Sequence, residues 1–400
     1  MRIAYVCTDP GVPVFGRKGA SVHAQSVLRT LVARGDEVHL LTVRTGGDPP
    51  ADLRRVRLHA VPRASAADPP TREVSAQQAD ARVGGLLSHL HAQRRLDLVY
   101  ERYSLWGRTA MAWAAEHDVA SALEVNAPLV EEQAAHRVLV DRLRAEQIAV
   151  QVMSTAGAVL CVSEAVAAWA RQHTADTRNV HTLPNGVDTI RVHPSSRPLT
   201  PPTGTPFTVG FVGTLKPWHG VDTLADAFAQ LASVDPTYRL LIVGDGPLAG
   251  SLRTQLEQAG VSAQVEMTGA LEPHAVPAML HRMDIATAPY PQLDDFYFSP
   301  LKVYEYLAAG VPIVASRVGD LPNLLDHGEL GVLVEAGDPI ALATALATLR
   351  ANPEHRAQLS RDGRHRAVER HDWSQIVRVA LSLAQVHPKV SHVEVVRRAG

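Results

Sequence analysis

Short runs of β-branched and aliphatic residues alternate with helix-length segments along most of the chain, and this alternation limits the fold more than any other feature. Such an order is typical of a parallel sheet whose strands are joined by crossover helices, so we predict an α/β fold. In the first half, strands are expected at 3–7, 37–43, 54–61, 96–101, 121–125, 158–162 and 179–184, and helices at 22–33, 82–93 and 130–153.

A stretch rich in Pro, Ser, Thr and Gly, residues 195–206, interrupts the alternation and is predicted to be a linker. We therefore expect an N-terminal domain over 1–194 and a C-terminal domain over 207–372, each a doubly wound sheet, with the two facing a central cleft. A helix over 373–388 is expected to pack back toward the N-terminal domain, followed by a tail over 389–400. Strands of the second domain are expected at 207–213, 238–244, 262–269, 284–290, 311–316 and 331–335, and helices at 221–231, 248–258, 300–309 and 340–349.

Composition excludes several classes of function. The formal net charge of −2 favours no bulk attraction to nucleic acid. Two cysteines, Cys7 and Cys161, are too few for a disulfide framework and are interpreted as buried small residues. The chain shows no signal peptide and no transmembrane segment, so we expect a cytoplasmic protein; peripheral contact with the inner membrane face is left open. The 19 histidines form no ligand spacing, so no metal and no cofactor is predicted.

Two glycine-containing loops follow predicted strands and precede helices. In VFGRKGASVHAQ (14–25), Gly16 and Gly19 allow close backbone approach at a helix N-terminus, so the loop is either an anion site or an ordinary surface loop. In GFVGTLKPWHG (210–220), Lys216 lies near a helix start and suits a diphosphate; the alternative is a solvated lysine.

A third loop, IVGDGPLAG (242–250), nearly matches a dinucleotide fingerprint. Gly250 falls one residue late for that pattern, although Glu266 lies at a suitable distance along the chain. The loop therefore supports a remote alternative, an NAD-dependent oxidoreductase.

The fourth segment, FYFSPLKVYEYLAAGVPIVAS (296–316), is the most specific. Ser299 and Pro300 are predicted as N-cap and first residue of a helix, on which Lys302 and Glu305 share a face. The helix amides and Lys302 would bind a diphosphate, and Glu305 would accept hydrogen bonds from two ribose hydroxyls. A plain intrahelical Lys–Glu pair is the alternative.

The second, third and fourth of these segments, with VSEAV at 162–166 and LPNGVD at 183–188, resemble glycosyltransferase family 4 over most of the chain. The resemblance implies the GT-B fold, with two Rossmann-like domains, and retaining sugar transfer that needs no metal. It also implies that Glu305 is the second glutamate of the E-x7-E motif and that the turn from Gly269 to Leu271 holds the base. The NAPL and SPLK-x-x-EY motifs indicate a subgroup.

The sequence departs from the family pattern at several positions. Thr214 and His219 stand where the family has arginine and lysine, so Lys216 is expected to take over the diphosphate. Tyr297 replaces the first motif glutamate. The family histidine after the fourth or fifth strand is also absent, and the loop EVNAPLVEE offers Glu124 and Asn126 there instead.

We therefore expect a hexosyltransferase that uses a UDP-, GDP- or ADP-linked sugar and a hydroxyl acceptor. The acceptor is a glycan, a glycolipid or a small molecule, and whether it is membrane-associated is left open. A sugar-nucleotide epimerase or non-catalytic homologue is the alternative. Glu101 and Arg102 either contact the acceptor or form a structural ion pair. The predicted catalytic residues are Lys216, Lys302 and Glu305. The predicted donor-binding residues are Gly213, Thr214, His219, Gly244, Gly269, Ala270, Leu271, Tyr297, Phe298, Ser299, Pro300 and Leu301. The predicted acceptor-side residues are Gly16, Gly19, Glu101, Arg102, Glu124 and Asn126.

Overall fold

A computed structural model describes residues 1–195, 205–293, 296–297 and 299–386. The described chain divides into two compact units. The first comprises residues 1–184 together with the residues from Ile376 onward, and the second comprises residues 185–375. Most of the predicted linker and all of the predicted tail lie outside the described residues.

The first unit is a parallel seven-stranded sheet with strand order β3-β2-β1-β4-β5-β6-β7. Its strands are β1 (Arg2–Cys7), β2 (Glu37–Thr42), β3 (Arg57–Ala60), β4 (Leu98–Arg102), β5 (Ala120–Val125), β6 (Ala158–Cys161) and β7 (Val180–Thr182). Its helices are α1 (Gly19–Ala33), α2 (Pro69–Gln93), α3 (Thr109–Glu116), α4 (Leu129–His136), α5 (Arg142–Thr155) and α6 (Glu164–Gln172). Cys7 and Cys161 are unpaired and buried in β1 and β6, which confirms their interpretation as core residues.

The single helix predicted over 130–153 is wrong, because the chain breaks between α4 and α5. The carboxylate of Glu73 on α2 accepts hydrogen bonds from the backbone amides of Val140 (2.7 Å) and Asp141 (3.1 Å). Asp141 then caps α5 by accepting from the amide of Arg144 at 2.9 Å. Amides held by side chains in this way are not available to a continuous helix.

The second unit is a parallel six-stranded sheet with order β10-β9-β8-β11-β12-β13. Its strands are β8 (Phe207–Val212), β9 (Tyr238–Val243), β10 (Val265–Met267), β11 (Ile285–Ala288), β12 (Ile313–Ser316) and β13 (Val332–Val334). Its helices are α7 (Val221–Val234), α8 (Ala249–Gln258), α9 (Val276–Leu280), α10 (Leu301–Ala309), α11 (Leu321–Leu324), α12 (Pro339–Ala351) and α13 (Pro353–Arg366), and α14 (Trp373–Val386) begins there. Two parallel α/β sheets confirm the predicted fold class.

Both faces of the second sheet are buried, which the near-continuous apolar strands require. Phe211 of β8 packs with Phe228 of α7 on one face. Val212 packs with Tyr306 and Leu307 of α10 on the other. This sandwich fixes the start of α10 beside the carboxyl end of β8. No described helix combines the length and apolarity that crossing a bilayer requires.

Candidate functional site

Three predicted site glycines bring the ends of β8, β9 and β10 together. Gly213 and Gly244 have φ angles of 145° and 141°, a region that favours glycine. A Cβ on Gly244 would lie 2.0 Å from the carbonyl oxygen of Gly213, so only glycine fits. Gly244 also forms an isolated antiparallel bridge with Gly269. The carboxyl edge of the sheet is therefore closed by backbone contact and has little side-chain bulk.

The IVGDGPLAG loop uses its glycines for packing. A Cβ on Gly246 would lie 2.6 Å from the backbone nitrogen of Leu215, whereas Gly250 faces open space. The amide of Leu215 donates to the carbonyl of Asp245 at 3.0 Å. These contacts pack the loop against Leu215, in the loop that follows β8.

Helix α10 begins one residue later than predicted. Leu301 is its first residue and Pro300 is the N-cap, without a side-chain cap. The Ser299 hydroxyl lies 3.0 Å from the hydroxyl of Tyr304 and accepts from the backbone amide of Asn185 at 3.3 Å. The prediction that Ser299 caps the helix is therefore wrong, since its hydroxyl has other partners.

Lys302 lies in the first turn of α10 and is 7% exposed. Its ammonium has no hydrogen-bond partner among the described residues. It stands 4.0 Å from the ring centroid of Phe211 and 5.2 Å from that of Tyr290. Burial lowers the pKa of Lys302 to about 7, although Glu305 opposes this. Aromatic faces compensate only part of the lost hydration, so the ammonium is suited to an anionic ligand.

Glu305 follows one turn later on the same helix and is half-buried. Burial raises the pKa of Glu305 to about 7, with Lys302 and Arg191 acting in the opposite direction. Lys302 and Glu305 therefore both titrate near pH 7. A ligand that contacts both side chains determines their protonation states.

Tyr306 holds α10 to the sheet and was not predicted. Its hydroxyl accepts from the Val212 amide at 2.8 Å and contacts the Thr287 carbonyl at 3.3 Å. Tyr306 is fully buried, so these bonds form in a low-dielectric interior. The spacing of apolar residues along α10 predicts that Tyr306 is buried. The sequence gives no signal for its hydrogen bonds.

The loop after β8 supplies a second cation. Lys216 is partly exposed, and its ammonium lies 4.5 Å from the ring centroid of Trp218. His219 contacts the carbonyl of Thr214 through Nδ1. Burial and then Lys302 lower the pKa of His219 to about 3, so this ring is neutral near pH 7. His219 therefore adds no positive charge beside Lys216 and Lys302 near pH 7.

The remaining predicted donor-side residues differ in exposure. Ala270 and Thr214 are exposed, and Tyr297, Leu271 and Leu301 are partly buried. Gly269 has a φ of 70° and its carbonyl accepts from the Thr268 hydroxyl at 2.8 Å. Phe298 lies outside the described residues.

In the first unit, the glycine loop precedes α1. Gly16 donates its amide to the Pro13 carbonyl at 2.8 Å, and Gly19 is the first residue of α1. The amide of the Gln25 side chain donates to the carbonyls of Val14 and Gly16, both at 2.9 Å. The loop is therefore tied to the helix that it precedes.

Glu124 lies at the carboxyl end of β5 and is the centre of a buried polar network. Four side chains contact its carboxylate: Tyr100 (2.7 Å), Arg102 (2.9 Å), Asn126 (2.7 Å) and His23 (2.9 Å). Burial would raise the pKa of Glu124, but His23, Arg102 and Asn126 reverse this and lower it. His23, in the first turns of α1, was missed by sequence reasoning; its place in the glycine-loop segment is the only signal.

Arg102 and Glu101 have different environments. Arg102 forms a buried ion pair with Glu124 and not with Glu101, the residue named beside it as a structural ion pair. Neighbouring strand residues point to opposite faces, and Glu101 is completely buried, with both carboxylate oxygens lacking a hydrogen-bond partner among the described residues. Burial raises the pKa of Glu101 well above its usual range. With no exposed surface in this conformation, Glu101 has no route to an acceptor.

Two Rossmann-like units in series, the second with a buried cation at the start of α10, define a protein of the GT-B class. A family model described as "Glycosyl transferases group 1" matches residues 206–352, and one described as "Glycosyltransferase Family 4" matches residues 17–191. The chain belongs to glycosyltransferase family 4.

Curated relatives agree with this family, and a solved structure shares the fold. The chain is 34% identical over 216 residues to phosphatidyl-myo-inositol mannosyltransferase of Mycobacterium leprae, covering 52% of this chain and 55% of that protein. It is 34% identical over 160 residues to D-inositol 3-phosphate glycosyltransferase of Corynebacterium glutamicum, covering 38% and 37%. It spans about a third to a half of these relatives. The crystal structure of Anabaena HepE in complex with UDP matches with a TM-score of 0.72 at 18% identity, over 96% of this chain and all of that one.

Proposed function

We propose that this protein transfers a hexose from a nucleoside diphosphate sugar to a hydroxyl acceptor and retains the anomeric configuration. The observation that carries the proposal is the buried, unpartnered ammonium of Lys302 at the start of α10. The family relationship supports the reaction class, and the geometry around Lys302 supports its place in the donor site.

A buried ammonium without a partner is costly, so its neighbours indicate its ligand. The backbone of Gly213 lies opposite it, and a Cβ there would lie 3.0 Å from Nζ. A diphosphate bound against this backbone would neutralise Lys302 and raise its pKa again.

The N-terminus of α10 adds to this charge. The first amides of a helix have no intrahelical acceptor, and the helix dipole favours an anion there. The amides of Leu301 and Lys302 are therefore the proposed partners of the leaving β-phosphate. Lys216 supplies the second cation, and neutral His219 offers a ring nitrogen to a sugar hydroxyl.

Glu305 is the proposed partner of the ribose. An ionised carboxylate accepts two hydroxyl hydrogen bonds, and such bonds favour its charged form. The turn at Gly269, Ala270 and Leu271 is proposed to contact the base, as the family resemblance implies. Tyr297 stands in place of the motif glutamate and is proposed to contact the donor sugar.

The reaction exchanges one bond for another at the anomeric carbon. The acceptor oxygen bonds to C1 as the bond from C1 to the β-phosphate oxygen breaks, and both events occur on the same face. The acceptor proton passes to the departing phosphate oxygen. Negative charge develops on that phosphate, where fixed cations and amides lower the barrier most.

One comparison supports a nucleotide donor and another supports a hexose. HepE, which shares the fold, binds UDP in its crystal structure, and the M. leprae relative is a mannosyltransferase. We leave the base, the sugar and the acceptor open. On the acceptor side, the loop with Gly16 and Gly19 and the side chain of Asn126 are the proposed contacts.

Sugar transfer by purified Lys302→Ala and Glu305→Ala variants tests the proposal. Each is expected to lose most turnover while its melting temperature stays close to that of the wild type. Near-wild-type transfer in both variants would refute the assignment. Incubation of the wild type with donor alone, followed by analysis for an epimerised sugar nucleotide, separates transfer from the alternative epimerase activity.

A further inference from the structure

We propose that the first unit binds a sugar-sized molecule that bears an anionic group, a phosphate or a carboxylate, in a cavity lined by Arg63, Arg72 and Arg137. The cavity has a volume of about 330 Å³ and opens beyond the ends of β1 and β4, at Thr8 and Ser104. Ligand pockets span roughly 300–1,000 Å³. This cavity therefore suits one substituted ring better than an oligosaccharide.

The three arginines have guanidinium donors to spare. Their recorded hydrogen bonds go to neutral oxygens: Arg63 to the Arg72 carbonyl (3.4 Å), Arg72 to the Ala67 carbonyl (2.6 Å) and Arg137 to the Gln133 side chain (3.4 Å). The Nε atom of Arg63 is buried without a hydrogen-bond partner among the described residues. Planar guanidinium groups bind phosphate and carboxylate through paired hydrogen bonds, so an anionic group satisfies these donors.

Acidic side chains in the wall do not remove this preference. Glu73 is occupied by the amides of Val140 and Asp141, and Asp9 accepts from the Gly11 amide at 2.7 Å. With Glu132 they balance the three arginines in formal charge. Recognition of the anionic group therefore depends mainly on the direction of the guanidinium N–H donors. Long-range electrostatic attraction of the ligand contributes little.

The floor of the cavity suits a polyol. The hydroxyls of Thr8 and Ser104 lie 2.8 Å apart and are 6% and 5% exposed. One donates to the other, so acceptor capacity and one proton remain for ligand hydroxyls. The buried ring of Trp106 lines the same space and provides an apolar surface for ring C–H groups.

The proposal that an anionic sugar binds in this cavity depends only on the residues of the cavity wall. That the ligand is the sugar acceptor rests on the proposed transferase function. The two statements are separable by experiment, because donor binding involves Lys302 in the second unit and anionic-sugar binding involves arginines of the first.

Calorimetric titration of the full-length protein saturated with UDP tests the proposal, since UDP prevents phosphate from entering the donor site. The probes are glucose, glucose 6-phosphate, glucuronate and inorganic phosphate. At least one anionic sugar is expected to bind about tenfold or more tightly than glucose, in keeping with charge-assisted hydrogen bonds. Arg72→Gln and Arg137→Gln, both at exposed positions, are each expected to weaken that binding several-fold without changing the affinity for UDP.

Arg178→Gln is the matched control, because that side chain is 81% exposed and lies before β7, an edge strand, whereas the cavity opens after the central strands β1 and β4. It is expected to bind all probes as the wild type does. Equal affinity for glucose and both anionic sugars, wild-type binding in Arg72→Gln and Arg137→Gln, or inorganic phosphate binding as tightly as glucose 6-phosphate would each overturn the proposal. If UDP does not bind, GDP or ADP takes its place, because the base of the donor is left open. If none of the three binds, the donor assignment fails, and titration without nucleotide still decides the anionic-sugar proposal.

Discussion

The ammonium of Lys302 lies 3.0 Å from the point where a Cβ on Gly213 would stand. A lysine at the start of a helix is thereby placed against the bare backbone at the end of β8. The surrounding side chains, Phe211 and Tyr290, are aromatic and give the ammonium no hydrogen bond. This pair of residues defines the proposed diphosphate site.

Gly213→Ala is expected to damage donor binding. The added methyl group meets Nζ of Lys302, and alanine at a φ of 145° is strained by roughly 1–3 kcal/mol. We expect loss of stability in urea unfolding and at least about a tenfold weaker affinity for UDP in calorimetry, because a charge-assisted contact is displaced.

Gly260→Ala is the control for backbone strain. Its φ is 71°, and nothing lies within 4 Å of the added Cβ. It is expected to cost roughly 1–2 kcal/mol of stability and to leave UDP affinity unchanged. Wild-type affinity in Gly213→Ala, or an equal loss in both variants, would contradict the role of the Lys302–Gly213 contact.

The pH profile of kcat/KM for the donor is expected to be bell-shaped. Lys302, with a pKa lowered to about 7, loses its charge as pH rises above that value, so activity falls on the alkaline side. Glu305, with a pKa raised to about 7, is neutralised as pH falls below that value, so activity falls on the acid side. Coupled groups titrate as a pair, so the two limbs report the pair.

Lys302→Arg and Glu305→Gln separate the two limbs of that profile. Arginine stays charged, so Lys302→Arg is expected to lose the alkaline limb and keep the acid one. Glu305→Gln is expected to lose the acid limb and to have a lower maximum. The measurement is kcat/KM for the donor between pH 5 and 9, at about unit intervals, since each limb spans such a range. A profile unchanged by either variant would rule out these two groups as its source.

The sequence predicted the strands and the Lys302–Glu305 helix well, because both follow from hydrophobic periodicity and local motifs. The burial of Lys302 was not predictable, since it depends on Phe211 and Tyr290, which come from other elements. The break between α4 and α5 was missed for the same reason: Glu73, which lies 67 residues from Val140, binds the amides there.

Candidate site residues of the first unit were predicted less well. Arg102, Glu124 and Asn126 were selected from their strand ends, and they do lie together. His23 was missed and Glu101 proved to be buried on the other face, because strand ends give positions and not side-chain partners. Single-sequence patterns do not report such long-range pairs.

Glu124→Gln is expected to destabilise the protein by about 3–5 kcal/mol, because it leaves the buried guanidinium of Arg102 without a carboxylate. Urea unfolding measures this loss. The control, Glu146→Gln, removes the exposed pair with Arg142 and is expected to cost about 0.3–0.5 kcal/mol at most. A cost for Glu124→Gln as small as that of the control would show that the network does not stabilise the fold.

Transfer is expected to continue in EDTA. The proposed site meets the diphosphate with Lys302, Lys216 and helix amides, so a divalent cation is not required for charge compensation. Among the described residues, no group of three or more His, Cys, Asp or Glu side chains is placed to hold a metal. Initial rates after EDTA dialysis, with and without added Mg²⁺ or Mn²⁺, measure the effect, and a strict requirement for either ion would exclude this form of the mechanism.

Binding of nucleotides to the wild type and to Lys302→Met tests the central claim most directly. UDP, GDP and ADP are titrated calorimetrically, and melting temperatures are recorded with each, because a ligand that binds only the native state raises the melting point. One nucleotide is expected to bind the wild type and raise its melting temperature, and Lys302→Met is expected to bind it at least about a hundredfold more weakly, since a buried charge-assisted contact is lost. Equal affinity in the two proteins, or no binding of any nucleotide to the wild type, would contradict the account.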